Sequence, residues 1–207
     1  SIHTSREMTQ NWYNARKAAQ PLMANSAIAV IDSRSICAAQ GLLVEAALRL
    51  AQEVDTFDEI VRQVRGAVER LYAIYYSESL DYLMQSGVMS GAHSILGAML
   101  GIKPFLSIEN GLLMPIEKVR TRAQAIDRIV EFSIEFDAIE QGVILHNKAT
   151  PSETTRLLHE RLRTEFYGRE FPTTVYVPTL AAMIGSDAHG FVILESEDAQ
   201  DYDRADD

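Results

Sequence analysis

Asn110-Gly111 stands between two runs of strand-forming residues, Ile102 to Ser107 and Leu112 to Glu117. Adjacent Asn and Gly tolerate the positive φ of a two-residue hairpin turn, so this dipeptide commits its neighbours to pair antiparallel. The segment before it carries a different period. Leu80, Leu83, Met84 and then Ile95, Leu96, Met99 and Leu100 recur at spacings of three and four, interrupted by Ser86-Gly87 and Ser90-Gly91. That pattern reads as two short helices joined by a tight link. After the hairpin, Lys118, Arg120 and Arg122 alternate, which in extended chain puts three cations on one face. A helix follows from Thr121 to Phe136, with Ala123, Ile126, Ile129 and Val130 inward.

The rest of the chain alternates the two periods. Thr4-x-x-Glu7 has the form of a capping box for a helix running to about Leu22. Ser26 to Asp32 is a continuous apolar run of the kind found in parallel strands. Asp32, Ser33 and Ser35 follow it, and Asp32 reads as a helix cap rather than a catalytic acid. Leu42, Leu43, Ala46, Ala47 and Leu50 mark one helix face. Thr56-x-x-Glu59 caps another helix, whose stripe is Ile60, Val61, Val64, Val68 and Leu71. Ala73 to Tyr76 and Gly142 to His146 are strands, and Ser152 to Phe166 is a helix. Thr173 to Val177 is a strand, Pro178 to Ile184 a short connection, and Phe191 to Leu194 the last strand. Alternation of this kind gives an α/β fold with sheets covered by helices.

Composition narrows the classes of function. At 207 residues and 47% apolar content the chain can build one large or two small domains. The net charge is −10, half of it in the segment from Ser196 to Asp207, which holds six acids and one arginine. That tail has little to bury and is expected to be disordered and dispensable for folding. The acidic balance argues against nucleic acid as a partner. Cys37 is the only cysteine and reads as a small buried apolar residue. No apolar run reaches the ~20 residues of a membrane span, and no signal segment opens the chain, so the expected location is the cytoplasm.

Ser79 to Ala125 resembles the DegV family of bacterial lipid-binding proteins. The matching residues are Leu80, Tyr82, Leu83, Gly87, Ala92, Leu96, Gly97, Leu100, Ile102, Lys103, Pro104, Gly111, Lys118, Val119, Arg120 and Ala125. Where the family has Gly-Gly-Arg, this chain has Ser86-Gly87-Val88, so the arginine is absent. The family's S-G-T-Y-Q-S-A run falls on Thr9 to Ala15, which places its serine on Thr9 and changes Gly-Thr to Gln10-Asn11. Its I-G-T-H-x-G-P-G run falls on Ile184 to Gly190, which puts Ser186 on the threonine and Asp187 on the histidine. His189 stands two residues later and could replace the lost imidazole. Family chains also extend upstream by roughly 80 residues, the size of a small domain, contributing strands, a helix and a second hydroxyl.

The resemblance implies two α/β subdomains, helices covering mixed sheets, and a ligand site between them. Residues 1–69 would be the remainder of the N-terminal subdomain, 70–195 the C-terminal one and 196–207 the acidic tail. It implies binding of a long-chain fatty acid, no chemistry by the chain itself, and presentation of the carboxylate to a separate fatty acid kinase subunit. The implied carboxylate ligands are Thr9, Asn11, Ser186, Asp187 and His189, and the implied kinase-docking residues are Lys118 and Arg120. No cofactor is implied. The residues leave two alternatives. One is a DegV-like domain that lost its lipid and serves a structural or regulatory role. The other is a hydrolase or transferase using Ser186, Asp187 and His189, although no nucleophile elbow, P-loop, dinucleotide fingerprint or metal-ligand spacing is present.

Overall fold

The computed structural model describes residues 1–79, 81–86 and 103–197. Val88, the helix expected around Ile95 to Leu100 and the tail from residue 198 lie outside the described residues. Along the chain run β1 (Ile2–His3), α1 (Asn11–Ala19), β2 (Ile31–Asp32), α2 (Ala38–Glu53), α3 (Phe57–Glu69), β3 (Leu71–Tyr76) and α4 (Asp81–Gln85). After them come β4 (Lys103–Glu109), β5 (Leu112–Val119), α5 (Arg122–Ile134) and β6 (Ile139–His146). The last are α6 (Glu153–Glu165), β7 (Thr173–Val175), α7 (Pro178–Ile184) and β8 (His189–Glu195).

Six strands form one mixed sheet in the order β5-β4-β3-β8-β6-β7, and β1 and β2 form a separate parallel pair. Among the described residues, only β6 and β7 pair in parallel within the larger sheet. The hairpin forms as its dipeptide requires: Asn110 and Gly111 have φ of 51° and 83°, and Glu109 faces Leu112. Three side-chain caps also form where the sequence places them. Thr56, Thr121 and Ser152 accept hydrogen bonds from the backbone N–H groups of Glu59, Gln124 and Thr155.

β8 lies between β3 and β6, and its side chains divide the core. Phe191 and Ile193 enter the cluster formed with α5 and α6 through Ile126, Ile129, Leu158 and Leu162. Val192 and Leu194 enter the cluster formed with α2, α3 and α7 through Leu42, Ala67 and Leu180. The second cluster runs across the α3–β3 turn, near which the boundary at Glu69 was expected.

Several expectations need correction. Thr4 caps no helix. It follows β1, its hydroxyl donates to the Gln40 side chain, and the first helix begins only at Asn11. The intervening chain is held instead by Ser5, whose N–H meets the Ser35 carbonyl and whose Oγ donates to the Gly111 carbonyl at 2.6 Å. The run from Ser26 yields only two strand residues, because its partner β1 is equally short. Asp32 caps a turn rather than a helix, accepting from the N–H groups of Arg6 and Arg34. Cys37 is half-buried and stands at the N-terminus of α2 with φ 61°. Leu71 begins β3 instead of ending the α3 stripe, Ala123 points outward, and β7 stops at Val175. Ser196 still donates to the Ala138 carbonyl, so any dispensable tail starts after it.

Gly190 shows how tightly β8 is seated. A Cβ there would lie 2.4 Å from Tyr75 Cδ1 and 2.8 Å from the Ile74 carbonyl oxygen. Gly190→Ala should therefore destabilise the protein by about 3 kcal/mol, the upper range for overpacking a core. Urea unfolding checks this, and an unchanged midpoint would show that β3 and β8 can separate freely.

Candidate functional site

The most polar buried cluster sits at one end of the sheet, where β3 and β6 finish and β8 starts. Tyr76 pairs with His189, and Leu145 pairs with Gly190, so one further step brings His146 opposite His189. All three side chains fall on the α5–α6 face, with Ile74, Phe191 and Ile144 two residues behind them. Tyr76, His146 and His189 are 0%, 3% and 6% exposed. The Tyr76 and His189 rings stack with centroids 5.4 Å apart and planes 10° from parallel. His189 Nε2 is hydrogen-bonded to Ser152 Oγ at 3.1 Å, and Ser152 in turn caps the thirteen-residue helix α6.

Burial controls the electrostatics here. It is the largest cause lowering the His189 pKa to about 4, with the neighbouring His146 and then Arg122 adding to it. The backbone and carboxylate of Asp187 oppose that shift. Burial also lowers the pKa of His146 and pushes the Tyr76 phenol up to about 12. Both rings are consequently neutral near pH 7. His146 Nδ1 is buried without a hydrogen-bond partner, whereas the Tyr76 hydroxyl meets the Thr154 side chain and the His189 ring also meets the Asp187 backbone.

The residues expected to surround one carboxylate are not gathered in one place. Thr9 and Asn11 do share a groove of about 520 Å³, with the N-terminus of α2 and residues 174 to 179 forming its other walls. That groove lies on the α2 side of the sheet, whereas the His189 ring lies on the α6 side. Ser186 and Asp187 are exposed on the turn before β8, where Asn147 Nδ2 donates to the Ser186 carbonyl and to Asp187 Oδ1. His189 Nε2 is engaged by Ser152 and not by Ser186, so the nucleophile–base contact that a hydrolase would use is not formed. Among the three alternating cations, Lys118 and Arg120 are exposed, while Arg122 Nε donates to Glu78 Oε1 at 2.7 Å. The alternation breaks because Thr121 and Gln124 close a capping box that turns the chain into α5. His146, Tyr76 and Ser152 were not singled out from the sequence. The available signal was a polar residue closing each of the apolar runs AIYY and GVILH.

Acid should destabilise the protein through His189. The unfolded ring binds its proton near pH 6.5 and the folded ring near 4, so between these values the unfolded state holds more protons and stability rises with pH. Stability should be full above about pH 6.5 and fall by up to about 3 kcal/mol as the pH drops toward 4. Urea unfolding from pH 4 to 7.5 should show this slope, and His189→Gln should flatten it. An equal slope in the variant would contradict the assignment.

Among the described residues, no helix is long and apolar enough to cross a membrane. The family model described as "Uncharacterised protein, DegV family" matches residues 1–196. A DegV domain-containing protein of Caldanaerobacter subterraneus is 36% identical over 140 residues, which is 66% of this chain and 50% of the relative. The chain thus spans half the length of that curated relative. The structure of the fatty acid binding DegV family protein SAG1342 from Streptococcus agalactiae matches with a TM-score of 0.83 at 26% identity, over 93% of this chain and 68% of that one. The structure of DegV, a fatty acid binding protein from Bacillus subtilis, matches with a TM-score of 0.80 at 26% identity, over 95% of this chain and 70% of that one. With its mixed α/β architecture and a family match running nearly end to end, this chain belongs to the DegV family.

Proposed function

We propose that this chain binds a long-chain fatty acid and offers its carboxylate to a separate fatty acid kinase subunit, without catalysing a reaction itself. The observation that carries the first part is the likeness, over 93% of the chain, to a fatty acid binding structure. Burying the alkyl chain supplies the driving force, at about 0.8 kcal/mol per methylene. Immobilising the ligand takes back a large part of it, so affinity depends on how the head group is received. We further propose that residues 1–69 belong to an N-terminal α/β subdomain and residues 70–195 to a C-terminal one. The β1–β2 pair is too small to be a stable sheet alone.

Docking of a kinase is best supported at Lys118 and Arg120. Both are exposed, beside a groove between β5 and α5, in a chain whose net charge is −10. Exposed charges at the rim of an interface mainly set association rate.

Two measurements test this reading. Calorimetry with palmitate and oleate should give saturable one-to-one binding; absence of binding would favour a domain that kept the fold and lost the lipid. Arg120→Glu should slow association with an ATP-dependent fatty acid kinase subunit at least severalfold while moving the melting temperature by less than about 3 °C. A larger drop in melting temperature would make Arg120 a structural residue instead.

A further inference from the structure

We infer that the acidic tail folds back and docks in the groove between α1 and α3, with Tyr202 against its apolar lining and Asp201 and Asp203 at Arg16 and Arg65. This contact lies away from the lipid reading above and does not rest on it.

The groove measures about 450 Å³. Its apolar lining includes Trp12, Met23 and Phe57, and Met23 and Phe57 are 44% and 43% exposed. Large apolar side chains gathered in one exposed concavity mark a surface that another group covers. Two cations border it, Arg16 from α1 and Arg65 from α3. The Arg16 guanidinium stands over the Trp12 ring, 5.2 Å from its centroid. Neighbouring cations are already answered: Arg6 by Glu7 and Asp32, Arg34 by Glu69, and Arg62 by Glu59. Arg16 and Arg65 have no carboxylate at ion-pair distance among the described residues. Among those residues, the only acid lining the groove is Asp58. The site therefore offers two positive charges against one negative charge, around an apolar floor.

The tail has the complementary chemistry. Residues 198–207 read DAQDYDRADD, with five acids, one arginine and one aromatic, and an aspartate stands on each side of Tyr202. The tail also starts in the right place. β8 runs antiparallel to β3, so its end returns to the α3–β3 turn, where the Glu195 N–H donates to the Arg70 carbonyl. Arg62 of α3, held charged first by the Glu59 side chain, also feels the Glu197 carboxylate. Arg65 is one turn from Arg62 on the same helix face. Five residues of extended chain from Glu197 to Tyr202 span up to about 17 Å, roughly three helical turns, so the groove is within reach. A short tether holds the tail at an effective concentration in the millimolar range, so exposed ion pairs that are individually weak suffice to seat it. Docked, the tail ties the end of β8 to α1 across α3.

Trp12 is the only tryptophan, so its fluorescence reports on this groove alone. The test is acrylamide quenching of Trp12 in the full chain. At low salt the docked tail should shield the indole. Raising NaCl to ~1 M, where the screening length is about 3 Å, should increase the quenching constant about twofold. Asp201→Asn combined with Asp203→Asn should be quenched at low salt as strongly as the wild-type protein at high salt, with little further response to salt. Tyr202→Ala and Arg65→Gln should each move in the same direction, and the tail variants should keep the wild-type melting temperature. If the tail variants are quenched as weakly as the wild-type protein at low salt, the tail does not cover the groove and the inference falls. It also falls if they keep the full salt response, which would then belong to the arginines alone. Quenching that rises when the wild-type protein is diluted would overturn it too, because the covering tail would come from a second copy.

Discussion

The antiparallel pairing of β8 with both β3 and β6 is the constraint on which the rest of the structure depends. A strand with neighbours on both sides and helices over both faces must be apolar at successive positions, and Phe191, Val192, Ile193 and Leu194 all have zero exposure. Their alternation sends two side chains into each core, so one strand fixes where α5 and α6 sit on one face and α2, α3 and α7 on the other. Gly190 lets β8 approach Tyr75 closely. The residue before it, His189, is placed in a row with Tyr76 and His146 by the same register. Position in the row follows from backbone pairing and not from any local preference of a histidine.

Polar atoms at the end of an otherwise apolar sheet need compensation. Some is internal: Tyr176 Oη donates to the Gly185 carbonyl and accepts from the Ala188 N–H, which fixes the turn leading into β8. Gly185 occupies a positive φ of 96° there, with Tyr82 packed against it. Ser152 satisfies the α6 N-terminus and one nitrogen of His189 together. The Tyr76 hydroxyl meets the Thr154 side chain and the His189 ring the Asp187 backbone, which leaves His146 Nδ1 buried without a partner.

Much of the fold was legible in the sequence because local chemistry decided it. Asn110-Gly111 dictated its own turn, and Thr56, Thr121 and Ser152 marked helix starts that capping alone explains. Failures came where distant partners decide. Thr4 and Glu7 have the spacing of a capping box, but Ser5 is held by Ser35 and Gly111, so the helix cannot begin there. The candidate site was legible only in part for the same reason. Resemblance directed attention to Thr9 and to the turn before β8, and His189 was noticed within it. His146 and Tyr76 join His189 only through strand order, which periodicity does not encode. Nor could spacing show that Thr9 borders one side of the sheet and His189 the other.

The central claim is that this DegV-family chain holds a fatty acid, and the most direct measurement is what it carries when isolated. The protein purified from bacterial cells without added lipid, then denatured and extracted, can be analysed by mass spectrometry for free fatty acids. The account predicts a long-chain fatty acid at close to one per chain, released only on denaturation. Lipid at trace level, or removed equally well by washing the folded protein, would contradict it.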